Sequence, residues 1–216
     1  MTASIDTLIR RSVGRIAPLT SNRSAEMAAS KESRGTRKLT RNDWLSAALD
    51  ALVSSGSEGV HVEPLATSLG VTKGSFYWHF EDLQDLLSSV IEYWEETMLG
   101  AVQSHEDLTG SPEENLLEVM EDIAREDRGR YEAVMRTWAK CDERAAQAVT
   151  RVDEARMNWT VGLFTDMGFS PDQAEIRGRM MVLYEYGEAQ YSFRAQVDQR
   201  LEWVKLRHEI LTCGGP

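Results

Sequence analysis

The sequence predicts an all-α protein, and three observations carry that expectation. Beyond residue 40, apolar residues recur three and four positions apart through nearly every segment. Helix-ending and helix-starting signals, such as Gly56, Gly168 and Ser170-Pro171, fall between these stripes. No segment alternates apolar and polar residues over the length a strand needs, and no internal repeat is visible.

The first helix follows from Leu45, Ala48, Leu49, Leu52 and Val53, with Thr40 as its N-cap and Gly56 as its stop. Residues 59–70 hold a short second helix, with Leu65, Ala66 and Leu69 facing inward and Gly70 supplying a tight turn. The next ten residues, Val71 to Phe80, read as a third helix whose first turn the Thr72 hydroxyl is expected to cap. Phe76 and Phe80 share the face that meets the core. Gly74 and Trp78 share the opposite face, flanked by Lys73 with Tyr77 and by Ser75 with His79. A cation, hydroxyls, an imidazole and an indole around a glycine make a surface that another macromolecule can approach closely. The competing reading is a buried aromatic helix whose Trp78 packs on a partner domain. Helix, short helix, glycine turn and polar-faced helix together form a helix-turn-helix.

Residues 40–94 resemble the DNA-binding domain of the tetracycline-repressor (TetR) family. The resemblance rests on Leu65-Ala66, Gly70-Val71-Thr72, Tyr77, His79, Phe80 and Leu86, in ungapped spacing. It implies DNA contacts from Thr72, Lys73, Ser75, Tyr77, Trp78 and His79, and a core role for Phe76 and Phe80. The outward facing adds Gly74 to the DNA-binding set. Two positions depart from the family pattern: His61 stands where a Ser or Thr commonly caps helix 2, and Glu81-Asp82-Leu83 stands where a basic phosphate contact is common. The second departure bears on phosphate affinity, not on the fold, because acidic residues suit a helix N-terminus.

The chain is acidic, with 24 Lys and Arg against 35 Asp and Glu, yet its charge is polarised. Residues 1–41 carry nine basic groups against three acidic ones, so the acidic excess lies beyond them. Residues 1–38 lack sustained periodicity and read as a basic, disordered arm. Arg37, Lys38 and Arg41 are candidates for phosphate or minor-groove contact. The alternatives are a solvated tail, or a chain that starts at Met27. Arginines interrupt every apolar run near the N-terminus, so an export signal is not expected, and no stretch approaches a membrane span. The expectation is a soluble, cytoplasmic protein whose Cys141 and Cys213 stay reduced and hold no metal.

Beyond Phe80 the stripes continue as helices. Leu83, Leu86, Leu87, Val90, Ile91, Trp94, Met98 and Val102 define a long fourth helix. Pro112, Tyr131 and Ala145 introduce three more, and Ser170-Pro171 starts the next. Met180 to Tyr184 is apolar on every side, which requires burial on two sides. The last helix has one stripe of Leu201, Val204, His208 and Leu211, with Trp203, Leu206 and Ile210 beside it. A homodimer through residues 173–194 and 199–213 satisfies both, with Gly178, Gly187 and Ala189 allowing close approach. The family dimerises in the same region.

The expected organisation is a basic arm (1–38), a helix-turn-helix domain (39–85) and a helical ligand-binding and dimerisation domain (86–216). Candidate ligand-binding residues are Trp94, Met98, Met120, Trp138, Trp159, Phe164 and Tyr184, because Met and aromatic side chains suit a flat, apolar molecule. The acidic Glu118, Glu121 and Asp122 read as a solvated face. No catalytic constellation, cofactor motif or phosphate loop appears, so an enzyme is not expected. The expected function is a ligand-released repressor that binds a near-palindromic double-stranded DNA operator as a dimer. An activator, or a helical interaction module whose helix-turn-helix no longer binds DNA, are the other readings.

Overall fold

The computed structural model describes residues 39–126, 129–190 and 195–214. Arg37 and Lys38 lie outside them. Among the described residues, the regular structure is entirely helical. The elements are α1 (Arg41–Ser55), a 3-10 turn (Ser57–Gly59), α2 (Val62–Leu69), α3 (Lys73–Phe76), α4 (Leu83–Glu106), α5 (Pro112–Arg125), α6 (Gly129–Trp138), α7 (Glu143–Asp166), α8 (Pro171–Gln190) and α9 (Val197–Thr212). The chain forms two compact units that meet in sequence between Tyr93 and Trp94, within α4.

The first unit starts with a reciprocal cap. The Thr40 hydroxyl accepts the Asp43 N–H at 3.3 Å, and the Asp43 carboxylate accepts the Thr40 N–H at 2.7 Å. α1 ends at Gly56, whose φ of 69° a side chain would strain. α2 begins at His61, which supplies no side-chain cap, and ends at Gly70 in the left-handed conformation. Trp44, Leu45, Leu49 and Leu52 of α1 are buried, as are Phe76 and Phe80. The Trp44 ring meets Phe76 edge-on at 5.5 Å, and Phe76 lies 5.4 Å from Phe80. Trp44 anchors this core although the apolar stripe read from the sequence does not include it.

Two expectations for the third helix need correction. Only Lys73–Phe76 is α-helical, a single turn instead of ten residues. The Thr72 hydroxyl makes no capping bond; its backbone carbonyl accepts the Ser75 N–H at 3.0 Å instead. After Phe76 the turn tightens, with the N–H groups of His79 and Phe80 both returning to the Phe76 carbonyl. The acidic residues that follow organise the start of α4. Asp82 accepts the Asp85 N–H, and Asp85 accepts the Glu81 N–H, each at 2.9 Å.

In the second unit, Ser111 and Glu114 form another reciprocal cap, with Pro112 at the first helical position of α5. Asp142 caps α7 through the N–H groups of Arg144 and Ala145. Leu116, Met120, Phe164, Phe169, Val204 and Leu211 belong to one apolar cluster. α9 divides as its stripes require: Val204 and Leu211 are buried, while Trp203, Leu206 and Ile210 are exposed. α8 buries Met181 and Val182 but exposes Ile176, Met180 and Leu183. Gly178 faces α7 of its own chain, where an added Cβ would lie 2.9 Å from Val161 Cγ2. Around Gly187 there is open space.

Candidate nucleic-acid interface and ligand cavity

The one-turn α3 and the tight turn after it divide their side chains sharply. Phe76 is 0% exposed, whereas Tyr77 is 56% and Trp78 88% exposed. Thr72, Lys73 and Gly74 are also exposed, and Ser75 and His79 are half-buried. Tyr77 is held upright by an edge contact with Phe76 at 5.2 Å. A Cβ on Gly74 would meet only the Thr72 hydroxyl, at 3.7 Å, so the glycine is not required by the fold at that point. Its lack of a side chain instead leaves the backbone of α3 open to a closely approaching surface.

The cations here are engaged within the protein. Lys73 donates to Glu63 of α2 at 2.5 Å. The hydrogen bond from Lys73 holds the Glu63 carboxyl below the ordinary carboxylate range, and raises the Lys73 ammonium correspondingly. Arg41 donates to the Ser89 hydroxyl, and its guanidinium covers the Phe80 ring at 4.9 Å. Of the three basic arm candidates, Arg41 is therefore folded onto the domain, while Arg37 and Lys38 fall outside the described residues.

A cavity of about 160 Å³ lies among α4 to α8, within the second unit. Met98, Val102, Val119, Ile123, Trp159 and Met181 supply apolar wall. Trp159 lies beside His105, the rings tilted by 52° with centres 4.9 Å apart. The lining also carries charge, with Asp122, Glu126, Glu132, Glu185 and Glu188 against Arg156. Of the sequence candidates, Met98 and Trp159 line the cavity. Trp94, Met120, Trp138 and Phe164 do not; they are buried elsewhere, Met120 and Phe164 in the apolar cluster of α5, α7 and α9. Tyr184 is exposed, beneath the Arg207 guanidinium.

A buried ionic network backs this charged lining. Arg156 donates to Glu132 at 3.0 Å, to the Tyr186 hydroxyl at 2.8 Å, and to the Met98 sulfur at 3.3 Å. Arg136 forms a two-pronged pair with Asp153, which also accepts the Tyr186 hydroxyl at 2.6 Å. Burial pushes the Tyr186 phenol up to about 12, opposed by Arg156 and reinforced by Glu132. Burial also raises the Glu185 carboxyl, with Arg207 pulling the other way. Burial opposes the charge of Arg156, but Glu132 and Tyr186 more than compensate and keep it ionised. Sequence reasoning missed Glu132, Arg156 and Tyr186. Their available signal was acid–base spacing along α6 and α7, a pattern that ordinarily marks a solvated face.

Residues 45–90 match the family described as bacterial regulatory proteins, tetR family. The chain is 33% identical over 99 residues to the HTH-type transcriptional regulator AcrR of Shigella flexneri, a match covering 42% of this chain and 45% of AcrR. The chain thus spans less than half the length of the curated relatives it matches. Salmonella enterica GusR superposes with a TM-score of 0.62 at 19% identity, over 82% of this chain and 97% of that protein. FadR of Bacillus subtilis, crystallised with stearoyl-CoA, superposes with a TM-score of 0.57 at 14% identity, over 81% of this chain and 99% of FadR. At these identities the two structures establish a shared fold alone. The helix-turn-helix residues carry the closer kinship, and residues 45–90 are a DNA-binding domain of the kind found in the tetR family of bacterial regulatory proteins.

Proposed function

We propose that this protein is a DNA-binding transcriptional regulator that acts as a homodimer and is released from its operator by a small molecule in the α4–α8 cavity. The observation that carries the reading is the division of the third helix. A fully buried Phe76 positions the exposed Tyr77 and Trp78 beside Lys73 and Gly74 on one accessible surface. Trp78 and Ser75 would meet base edges or thymine methyls, with Tyr77, His79, Thr72 and Lys73 on phosphates. The basic segment ending in Arg37 and Lys38 would add phosphate or minor-groove contacts.

One such reader touches only a few base pairs, so two copies on a two-fold axis are needed for a specific site. The exposed apolar residues of α8 and α9, among them Met180, Leu183, Trp203, Leu206 and Ile210, support dimerisation there. Repression is the simplest consequence of occupying an operator, and release requires the ligand to favour the non-binding conformation. A complete reversal needs about 5.5 kcal/mol of preference.

Fluorescence anisotropy of the protein with labelled duplex from the DNA flanking its own gene tests this reading at several salt concentrations. Competitor-resistant binding of two chains per duplex, weakening steeply with salt, is the expected result. Gly74→Leu should abolish it while leaving the dimer intact. Affinity retained in that variant would remove α3 from the interface, and equal weak binding to all duplexes in a selection from random DNA would sink the reading.

A further inference from the structure

We propose that the α4–α8 cavity recognises a small organic cation bearing N–H donors on a one-ring apolar frame, a protonated amine or amidine, with Glu188 as its charge partner. The inference rests on the reading of this cavity as the effector site and gives that effector a chemical class.

The wall charges set the sign. Five carboxylates line the cavity against the single guanidinium of Arg156. Most are already neutralised from behind. Asp122 pairs with Arg125 at 3.2 Å, Glu132 with Arg136 and Arg156 at 3.0 Å each, and Glu185 with Arg207 at 2.5 Å. Glu188 belongs to none of these pairs, and its Oε1 is shut off from solvent with no hydrogen bond among the described residues. Such an oxygen costs free energy until a donor reaches it, and a charged donor returns the most. Glu132, only 5% exposed, is by contrast held on both oxygens, Oε1 by Arg136 and Oε2 by Arg156.

Arg156 does not reverse this preference. Its charge is matched by Glu132, and one of its nitrogens rests on the Met98 sulfur, a weak acceptor. It has a hydrogen bond to offer a ligand hydroxyl or carbonyl, but no unmatched charge to hold an anion. An anionic head group would meet the uncompensated carboxylate instead. FadR is similar in fold and was crystallised with an acyl-CoA, yet this wall is built for the opposite charge.

Size and shape restrict the rest of the molecule. About 160 Å³ is on the order of the ~150 Å³ that holds one benzene. Trp159 beside His105 offers a flat aromatic face, with Met98 and Met181 as adaptable thioethers. An aromatic ring would lie on Trp159, and its ammonium would point toward α8.

The test is calorimetric titration of the full chain, without DNA, with benzylamine, benzyl alcohol and benzoate at neutral pH. These share one ring and differ in head-group charge. Benzylamine should bind at least about tenfold more tightly than the other two. Glu188→Gln should weaken benzylamine about tenfold and leave benzyl alcohol unchanged, with Glu188→Asp restoring part of the loss. Thermal melts of both variants establish that they are folded. Benzoate or benzyl alcohol binding as tightly as benzylamine, no saturable benzylamine binding, or an unaltered affinity in Glu188→Gln would each overturn the assignment. Because no arm contains DNA, failure here leaves the DNA-binding reading standing. Cation binding by a chain that ignores DNA would do the reverse.

Discussion

Lys73 shows how a candidate contact residue can be held in reserve. Its ammonium lies on Glu63, one helix away, so a phosphate must take the place of a carboxylate before Lys73 contributes to DNA affinity. Removing that competitor also removes a negative charge from the approach to the duplex. Glu63→Gln should therefore tighten operator binding about threefold at moderate salt, as read by anisotropy, with the advantage shrinking as salt rises. Unchanged or weaker binding would show that Lys73 does not reach a phosphate. Trp44 makes the contrasting point about stability. It is fully buried against Phe76, yet its indole N–H has no hydrogen-bond partner among the described residues. Denaturant unfolding should show Trp44→Ala losing about 3–5 kcal/mol. Trp44→Phe should lose under about 2 kcal/mol, because the ring contact survives and no satisfied hydrogen bond is broken. Equal losses would place the indole nitrogen in an interaction the structure does not contain.

At the scale of the element, caps and glycines fix where helices begin and how closely they pack. Thr40 with Asp43 and Ser111 with Glu114 are the same device at the starts of α1 and α5. Both need only a hydroxyl followed three residues later by a carboxylate, so they form locally. Gly178 depends instead on a partner distant in sequence. It lets α8 approach α7 at Val161, where a side chain would intrude. Gly178→Val should destabilise the second unit by about 1–3 kcal/mol in denaturant unfolding. The same change at Gly187, which faces open space, should cost only the helix-propensity difference. If Gly178→Val proved the milder of the two, the α7–α8 contact would be wrong.

For the whole molecule, the outer faces of α8 and α9 are the apolar surfaces that call for cover. Trp203, Leu206 and Ile210 stand out from a helix whose other stripe is buried, and Ile176, Met180 and Leu183 do the same on α8. In a single chain this much apolar surface would remain in water. Leu206→Asp combined with Ile210→Asp should convert the protein to a monomer in sedimentation equilibrium, with its helical circular dichroism retained. The monomer should lose most of its operator affinity, since each reader then binds alone. A variant that kept the mass of the parent would move the interface elsewhere.

The sequence by itself determined the helices, most of their ends and the inward or outward facing of their stripes. Each of these follows from local rules, such as the 3.6-residue period, a capping hydroxyl, or a glycine that accepts positive φ. Phe76 inward and Trp78 outward were legible for that reason, as were the buried and exposed stripes of α9. The length of α3 was not, because the Phe76 carbonyl closes the turn early, and nothing local distinguishes that from a continuing helix. The cavity was legible only in Met98 and Trp159. Choosing which aromatic lines a space and which fills a core requires knowing which helices adjoin, and periodicity within one helix carries no such information. The same holds for Glu132, Arg156 and Tyr186, which belong to three different helices. Tertiary structure alone brought them together into a buried network beside an acidic cavity, because only packing removes water from around them.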